Sequence, residues 1–178
     1  IVEVLRQKKT PHVWGVDFSR QMLAIAGKKT AAAHPGAAFF LLGADALHLP
    51  FAENRFDAVT IAFGIRNILN RQAALEEFRR VLKPGGTLAV LELATPAGGP
   101  LRMLYLLYFK KILPAVGGLF SQNIRAYRYL PASVLGFPPP ADFARLMGHA
   151  GFTGVKWQGL TAGIATLYIG CKPEPGQI

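Results

Sequence analysis

The sequence predicts an open α/β sheet, doubly wound and mostly parallel, with an antiparallel hairpin at its C-terminal edge. Three observations carry this. Short apolar runs rich in β-branched residues alternate with helical patterns, as buried parallel strands joined by crossover helices do. Pro and Gly cluster where a helix must stop, at Lys83-Pro84-Gly85-Gly86. The last two strand patterns, Val155–Leu160 and Ala165–Cys171, leave no room for a helix between them, so they pair antiparallel.

Each element follows in chain order. Ile1–Lys9 reads as the end of a helix already under way, so the natural N-terminus is expected upstream of Ile1. His12–Asp17 is a strand, and Ser19 can cap a helix running to about Ala33. Ala38–Leu42 is the next strand. Phe56–Asn67 (FDAVTIAFGIRN) carries another at Asp57–Phe63, bounded by turn residues. A helix over Arg71–Leu82 then gives way to a strand at Thr87–Leu93, with Glu92 near its C-terminal end. Ligands of open α/β sheets bind at that edge. Ala141–His149 is a helix closed by Gly151.

A chain of 178 residues, 51% hydrophobic and 17% charged, suits a single folded domain and argues against disorder. The lone Cys171 excludes a disulfide framework. Four scattered histidines, His12, His34, His48 and His149, show no ligand spacing, so no metal is expected. The net charge is +10. It reads either as a solvated basic surface or as attraction to an anionic membrane. Nucleic acid is not expected, because no basic stripe is interleaved with stacking aromatics. Leu101–Phe120 is apolar, but Lys110 and Lys111 sit in its middle and Pro114 breaks it, so it should not span a bilayer. It is either a core helix beneath the sheet edge or an amphipathic lid over a greasy substrate, and Tyr105, Tyr108, Phe109 and Phe120 suit both.

Two acids stand at successive strand ends. Asp17 can accept both hydrogen bonds of a ribose diol, or can simply favour a helix start. Asp45 can accept from an adenine amine while the adjacent Ala46 amide meets a ring nitrogen, or can be an ordinary turn residue. Together they suggest a nucleoside pocket.

Five runs resemble, in order and spacing, the UbiE/MenG family, the C-methyltransferases of ubiquinone and menaquinone biosynthesis. They are VDFSRQML, DALHLPFAENRFDAVTIAFGIRN, RRVLKPGGTLAVLE, AYRYL and LTAGIATLYIG. AFGIRN followed by RVLKPGGTLAVLE, with YRYL downstream, is the specific part. The resemblance implies a Rossmann-like class I methyltransferase fold over residues 1–178, with 97–135 as a substrate-covering lid. The family's first strand and Gly-rich loop with its Thr would lie before Ile1. The implied cofactor is S-adenosyl-L-methionine (SAM), contacted by Asp17, Phe18, Met22, Asp45, Ala46 and Ala62. Departures from the family pattern are Gln122-Asn123, Asn70, Ala94 and Tyr168, standing for Asn-Asp, Asp, Ser and His. They remove candidate general bases.

The expected reaction is methylation of a ring carbon of a lipophilic prenylated quinol, by a cytoplasmic enzyme attached at the inner face of the membrane. Arg66 is expected to stabilise the phenolate or else to form a salt bridge to Glu92 or Asp45. Asn67 would orient the ring, with Tyr127 or Tyr129 as secondary contacts. The alternatives are a non-catalytic lipid-binding scaffold of a quinone-synthesis assembly and a SAM methyltransferase for another phenolic acceptor.

Overall fold

The structure, a computed structural model, describes residues 1–7, 12–96, 98–112 and 124–176. It divides into two compact units, Ile1–Phe51 and Ala52–Ile178.

The first unit is a βαβ element preceded by a short helix, α1 (Val2–Arg6). Strands β1 (Val13–Asp17) and β2 (Phe39–Gly43) pair in parallel, from Val13 opposite Phe39 to Asp17 opposite Gly43. Helix α2 (Arg20–Ala33) connects them. Its N-cap is Ser19, whose hydroxyl accepts from the Met22 amide at 3.3 Å. Trp14 stacks on Phe40 with ring centroids 4.5 Å apart and meets Phe51 edge-on.

The second unit is a mixed four-stranded sheet in the order β3-β4-β6-β5. Strands β3 (Phe56–Ala62) and β4 (Leu82–Leu93) are parallel, and helix α3 (Arg71–Val81) joins them. Strands β5 (Thr153–Leu160) and β6 (Ala165–Cys171) form the antiparallel hairpin read from the sequence, with β6 against β4 and β5 outermost. Ahead of the hairpin come α4 (Gly99–Leu107), a π-helical turn at Tyr108–Ile112, α5 (Ile124–Leu135) and α6 (Pro140–His149). Of the expected lid, residues 97 and 113–123 lie outside the described set, Pro114, Phe120, Gln122 and Asn123 among them.

The four residues Lys83–Gly86 differ from the expected turn. They belong to the β4 run as a bulge, since Phe56 pairs with Leu82 and Ala58 already pairs with Thr87. The glycines make this possible. Gly85 has φ +71, and a Cβ on Gly86 would sit 2.7 Å from the Lys83 carbonyl oxygen.

The core of this unit lies between the sheet and helices α3 and α6. Ala74, Leu75, Phe78 and Val81 of α3 and Phe143, Ala144 and Met147 of α6 are buried against Leu88, Val90 and Tyr168. Tyr168 meets Phe143 edge-on at 4.7 Å. A second cluster, Tyr105, Phe109 and Val134, packs with Leu93, Leu130 and Ile164, so α4 and α5 close over the end of β4.

The Tyr168 hydroxyl is buried, and burial, partly offset by the Thr166 side chain, pushes its pKa from the ordinary 10.0 up to about 12. The folded pKa exceeds the unfolded one. Its stabilising contribution is therefore whole below about pH 10 and is lost as pH rises toward 12. Relative to Tyr168→Phe, the wild type should lose about 1.4 kcal/mol between about pH 8 and about pH 11. Urea melts of both proteins across this range check the expectation, and parallel stability curves would refute it.

Candidate functional site

In the first unit the two acids come together at the C-terminal ends of neighbouring strands. Asp17 closes β1 beside Gly43, and its carbonyl accepts from the Ala44 amide at 3.3 Å. Its carboxylate accepts the Ser19 amide at 2.8 Å, an Asx turn that fixes it ahead of α2. Asp45 lies two residues past β2, where Oδ1 takes the Leu47 amide at 2.9 Å and its carbonyl takes the His48 amide at 3.0 Å. Neither of those bonds uses the Ala46 amide.

Both carboxylates thus act in local turns and keep lone pairs to spare. No ion pair among the described residues uses either one, although the chain holds 20 Lys and Arg against 10 acids. Beside them Phe18 is 83% and Met22 53% exposed. Apolar side chains next to free carboxylates on parallel strand ends suit a nucleoside, whose base needs a greasy cover and whose ribose needs acceptors.

In the second unit the chemistry gathers at the end of β3. Ala62 is the last residue of that strand, opposite Leu91. Phe63 follows with φ 55, a left-handed conformation uncommon for a bulky side chain. The tight turn Ile65–Asn67 comes next, with Ile65 fully buried.

Arg66 is engaged with Glu92, the arrangement its sequence context allowed as an alternative to a free phenolate donor. Its Nη1 donates to Glu92 Oε1 at 2.7 Å and to the Phe63 carbonyl at 2.5 Å. Its main-chain N–H donates to Glu92 Oε2 at 3.1 Å. The Glu92 side chain is 0% exposed and that of Arg66 12%, so this pair is buried. Arg66 Nε has no partner.

Asn67 accepts the Tyr129 hydroxyl at 2.8 Å through Oδ1, which leaves its amide NH₂ as a donor. Tyr127 lies on α5, but its side chain falls outside the described residues. The positions that depart from the expected pattern serve structure instead. Asn70 caps α3 by accepting the Ala73 amide at 3.1 Å, Ala94 is buried with its amide on the Ile164 carbonyl, and Tyr168 fills the core.

Sequence reasoning missed the Tyr129–Asn67 bond, and nothing in the spacing of those two residues announces it. It also made no use of Phe137-Pro138-Pro139-Pro140, a run visible in the sequence that forms part of a cavity wall described below.

The ubiE/COQ5 methyltransferase family matches the chain over residues 2–172. The chain belongs to this family. It is 48% identical over 161 residues to the demethylmenaquinone methyltransferase of Thermus thermophilus, covering 90% of this chain and 72% of that protein. It is 42% identical over 167 residues to the ubiquinone/menaquinone biosynthesis C-methyltransferase UbiE of Geotalea daltonii, covering 94% and 71%. Among solved structures, a SAM-dependent methyltransferase of Thermotoga maritima superposes with TM-score 0.63 at 22% identity, covering 90% of this chain and 72% of that one. This last likeness establishes the shared Rossmann-like methyltransferase fold.

The Arg66–Glu92 pair sets the stability of the family member's β3–β4 end. Arg66→Met should cost about 3–5 kcal/mol, because it strands a buried carboxylate. Adding Glu92→Gln should recover much of that loss. Denaturant unfolding of the single and double variants tests this, and a double variant no more stable than the single one would show that the charge is not the cause.

Proposed function

We propose that this chain transfers a methyl group from SAM to a ring carbon of a demethylated quinol bearing a prenyl tail. Membership of the ubiE/COQ5 methyltransferase family across residues 2–172 carries the reading. The name of the Thermus relative supports demethylmenaquinol as one acceptor.

SAM, when bound, supplies an electrophilic methyl on a sulfonium. Asp17 accepts the ribose hydroxyls, Asp45 the adenine amine, and the Ala46 amide donates to a ring nitrogen. Phe18 and Met22 cover the base, and the family resemblance adds Ala62 as a cofactor contact. In the acceptor, loss of the ring hydroxyl proton makes the neighbouring carbon nucleophilic, so donors at that oxygen contribute most. The Asn67 amide, held by Tyr129, donates there. Arg66 supplies positive charge and its unpartnered Nε behind it.

On the full-length protein, calorimetry with SAM and turnover of labelled SAM with a short-tailed demethylmenaquinol test this reading. Asp17→Ala should weaken SAM binding by about 2–4 kcal/mol. Asn67→Ala should lower kcat by about two orders of magnitude while leaving SAM affinity intact. Unchanged SAM affinity in Asp17→Ala sinks the ribose assignment. Tight SAM binding without turnover on naphthoquinol or benzoquinol acceptors points to another phenolic acceptor. Loss of both binding and turnover in the wild type, with vesicle binding retained, points to a scaffold.

Peripheral attachment to an anionic membrane, at its cytoplasmic face, belongs to the same proposal. Met103, Leu104, Leu107, Tyr108 and Ile112 are exposed along α4 and its π-turn, while Tyr105 and Phe109 turn inward. No helix among the described residues is long and apolar enough to cross a membrane. An apolar stripe on a chain of net charge +10 suits an interfacial helix. Leu104→Glu/Leu107→Glu should reduce co-sedimentation with phosphatidylglycerol vesicles by about tenfold or more, with SAM affinity unchanged. Equal sedimentation of both proteins would exclude this face as the attachment site.

A further inference from the structure

Within the second unit a cavity of about 680 Å³ opens beside the end of β4, a size ordinary for a small-molecule site. Its walls come from four elements: the residues after β4, helix α4, the end of α5 with the Phe137–Pro140 run, and the β5–β6 hairpin. We propose that this cavity holds the prenyl tail of the acceptor, an inference that rests on the quinol reading above.

The chemistry of the lining supports a hydrocarbon occupant. Pro96, Pro138, Pro139 and Pro140 all line it, and proline presents an apolar ring with no N–H. Most of the wall is apolar and costs nothing to a chain that makes no hydrogen bonds. Leu106, Val134, Leu135 and Trp157 supply the rest of the apolar surface. The polar side chains there are Thr95, Thr166 and Arg102.

Position supports the same occupant. Thr166 lines the cavity and lies opposite Glu92 across the β4–β6 ladder. Ala94 lines it too and follows Glu92 by two residues, on the same side of the strand. The greasy chamber therefore begins next to the Arg66–Glu92 pair, where the ring is proposed to react. A polar head at the ion pair and an apolar tail beyond it match an amphipathic acceptor end to end.

Gly159 offers a clean test. It lines the cavity, and a Cβ there would meet only the Gly163 Cα, at 3.6 Å in ordinary contact. Gly159→Leu, whose Cβ makes only ordinary contact, should add a side chain at the chamber wall, and Leu135→Trp provides a second plug from helix α5. The ligands are 1,4-naphthoquinone and its geranylated form, titrated by calorimetry into protein whose thermal unfolding is first confirmed. In the wild type the geranyl chain should tighten binding by about tenfold or more. Either plug should erase that gain and leave binding of the bare ring unchanged.

A wild type that shows no gain from the tail, or a folded plugged variant that keeps the full gain, would overturn the assignment. Methyl transfer is measured separately. Tail-dependent binding lost on plugging, in a protein that methylates neither naphthoquinol nor benzoquinol, would uphold the cavity and remove the reaction reading instead.

Discussion

The Glu92 carboxylate is the group around which the second unit is organised. It ends the strand that pairs in parallel with β3 on one side and antiparallel with β6 on the other. Buried completely, it would be intolerable as an isolated charge. Three N–H bonds meet it, from the Arg66 side chain, the Arg66 main chain and the Leu93 main chain. Arg66 in turn grips the Phe63 carbonyl, while its own carbonyl accepts from Arg71 Nη2 at 3.0 Å. A turn tied at so many points can hold Phe63 at positive φ, a conformation that local energetics alone would not favour. Asn67, one residue on, inherits that rigidity and receives a second anchor from Tyr129. A donor fixed in this way loses little entropy when a ligand arrives.

Acids are scarce in this chain, and their use is informative. Glu3, Asp57, Glu77, Glu92 and Asp142 each hold a cation. Lys83 keeps the Asp57 carboxyl below its ordinary range, and Arg6, with help from Gln7, does the same for Glu3. Asp17 and Asp45 bond backbone amides instead. Like Glu53, Glu76 and Glu174 they sit in none of these ion pairs, and under the proposed nucleoside reading their position on adjacent strand ends leaves lone pairs for ribose and base donors.

The elements themselves were legible in the sequence because their signals are local. Ser19 caps α2 as its residue type suggests, and the absence of helical sequence between Leu160 and Ala165 left only a hairpin. The bulge at Lys83–Gly86 was harder to foresee. Pro and Gly announce irregular backbone, but whether that backbone leaves the sheet or bulges within it depends on a partner strand. Here Lys172 decides it: its amide bonds the Gly86 carbonyl, and its Nζ reaches the Leu82 carbonyl at 2.8 Å. The Glu92–Arg66 pair was readable only as one option among others, and the cavity was not readable at all. Both arise from side chains brought together across the sheet, for which sequence spacing carries no signal.

The residues that could have served as bases bear on how the proposed reaction must run. Asn70 spends its side chain on a helix start, Tyr168 holds its proton up to about pH 12, and Ala94 has nothing to offer. Glu92, the one acid on β4, is neutralised by Arg66. None of these four described residues offers a strong base for the quinol proton. In the proposed reaction, the Asn67 amide and the neighbouring Arg66 guanidinium stabilise the phenolate once it has formed. The apolar chamber next to the ion pair serves the same end. By taking up the tail it holds the ring in place, and by excluding water it strengthens the few polar contacts the ring receives.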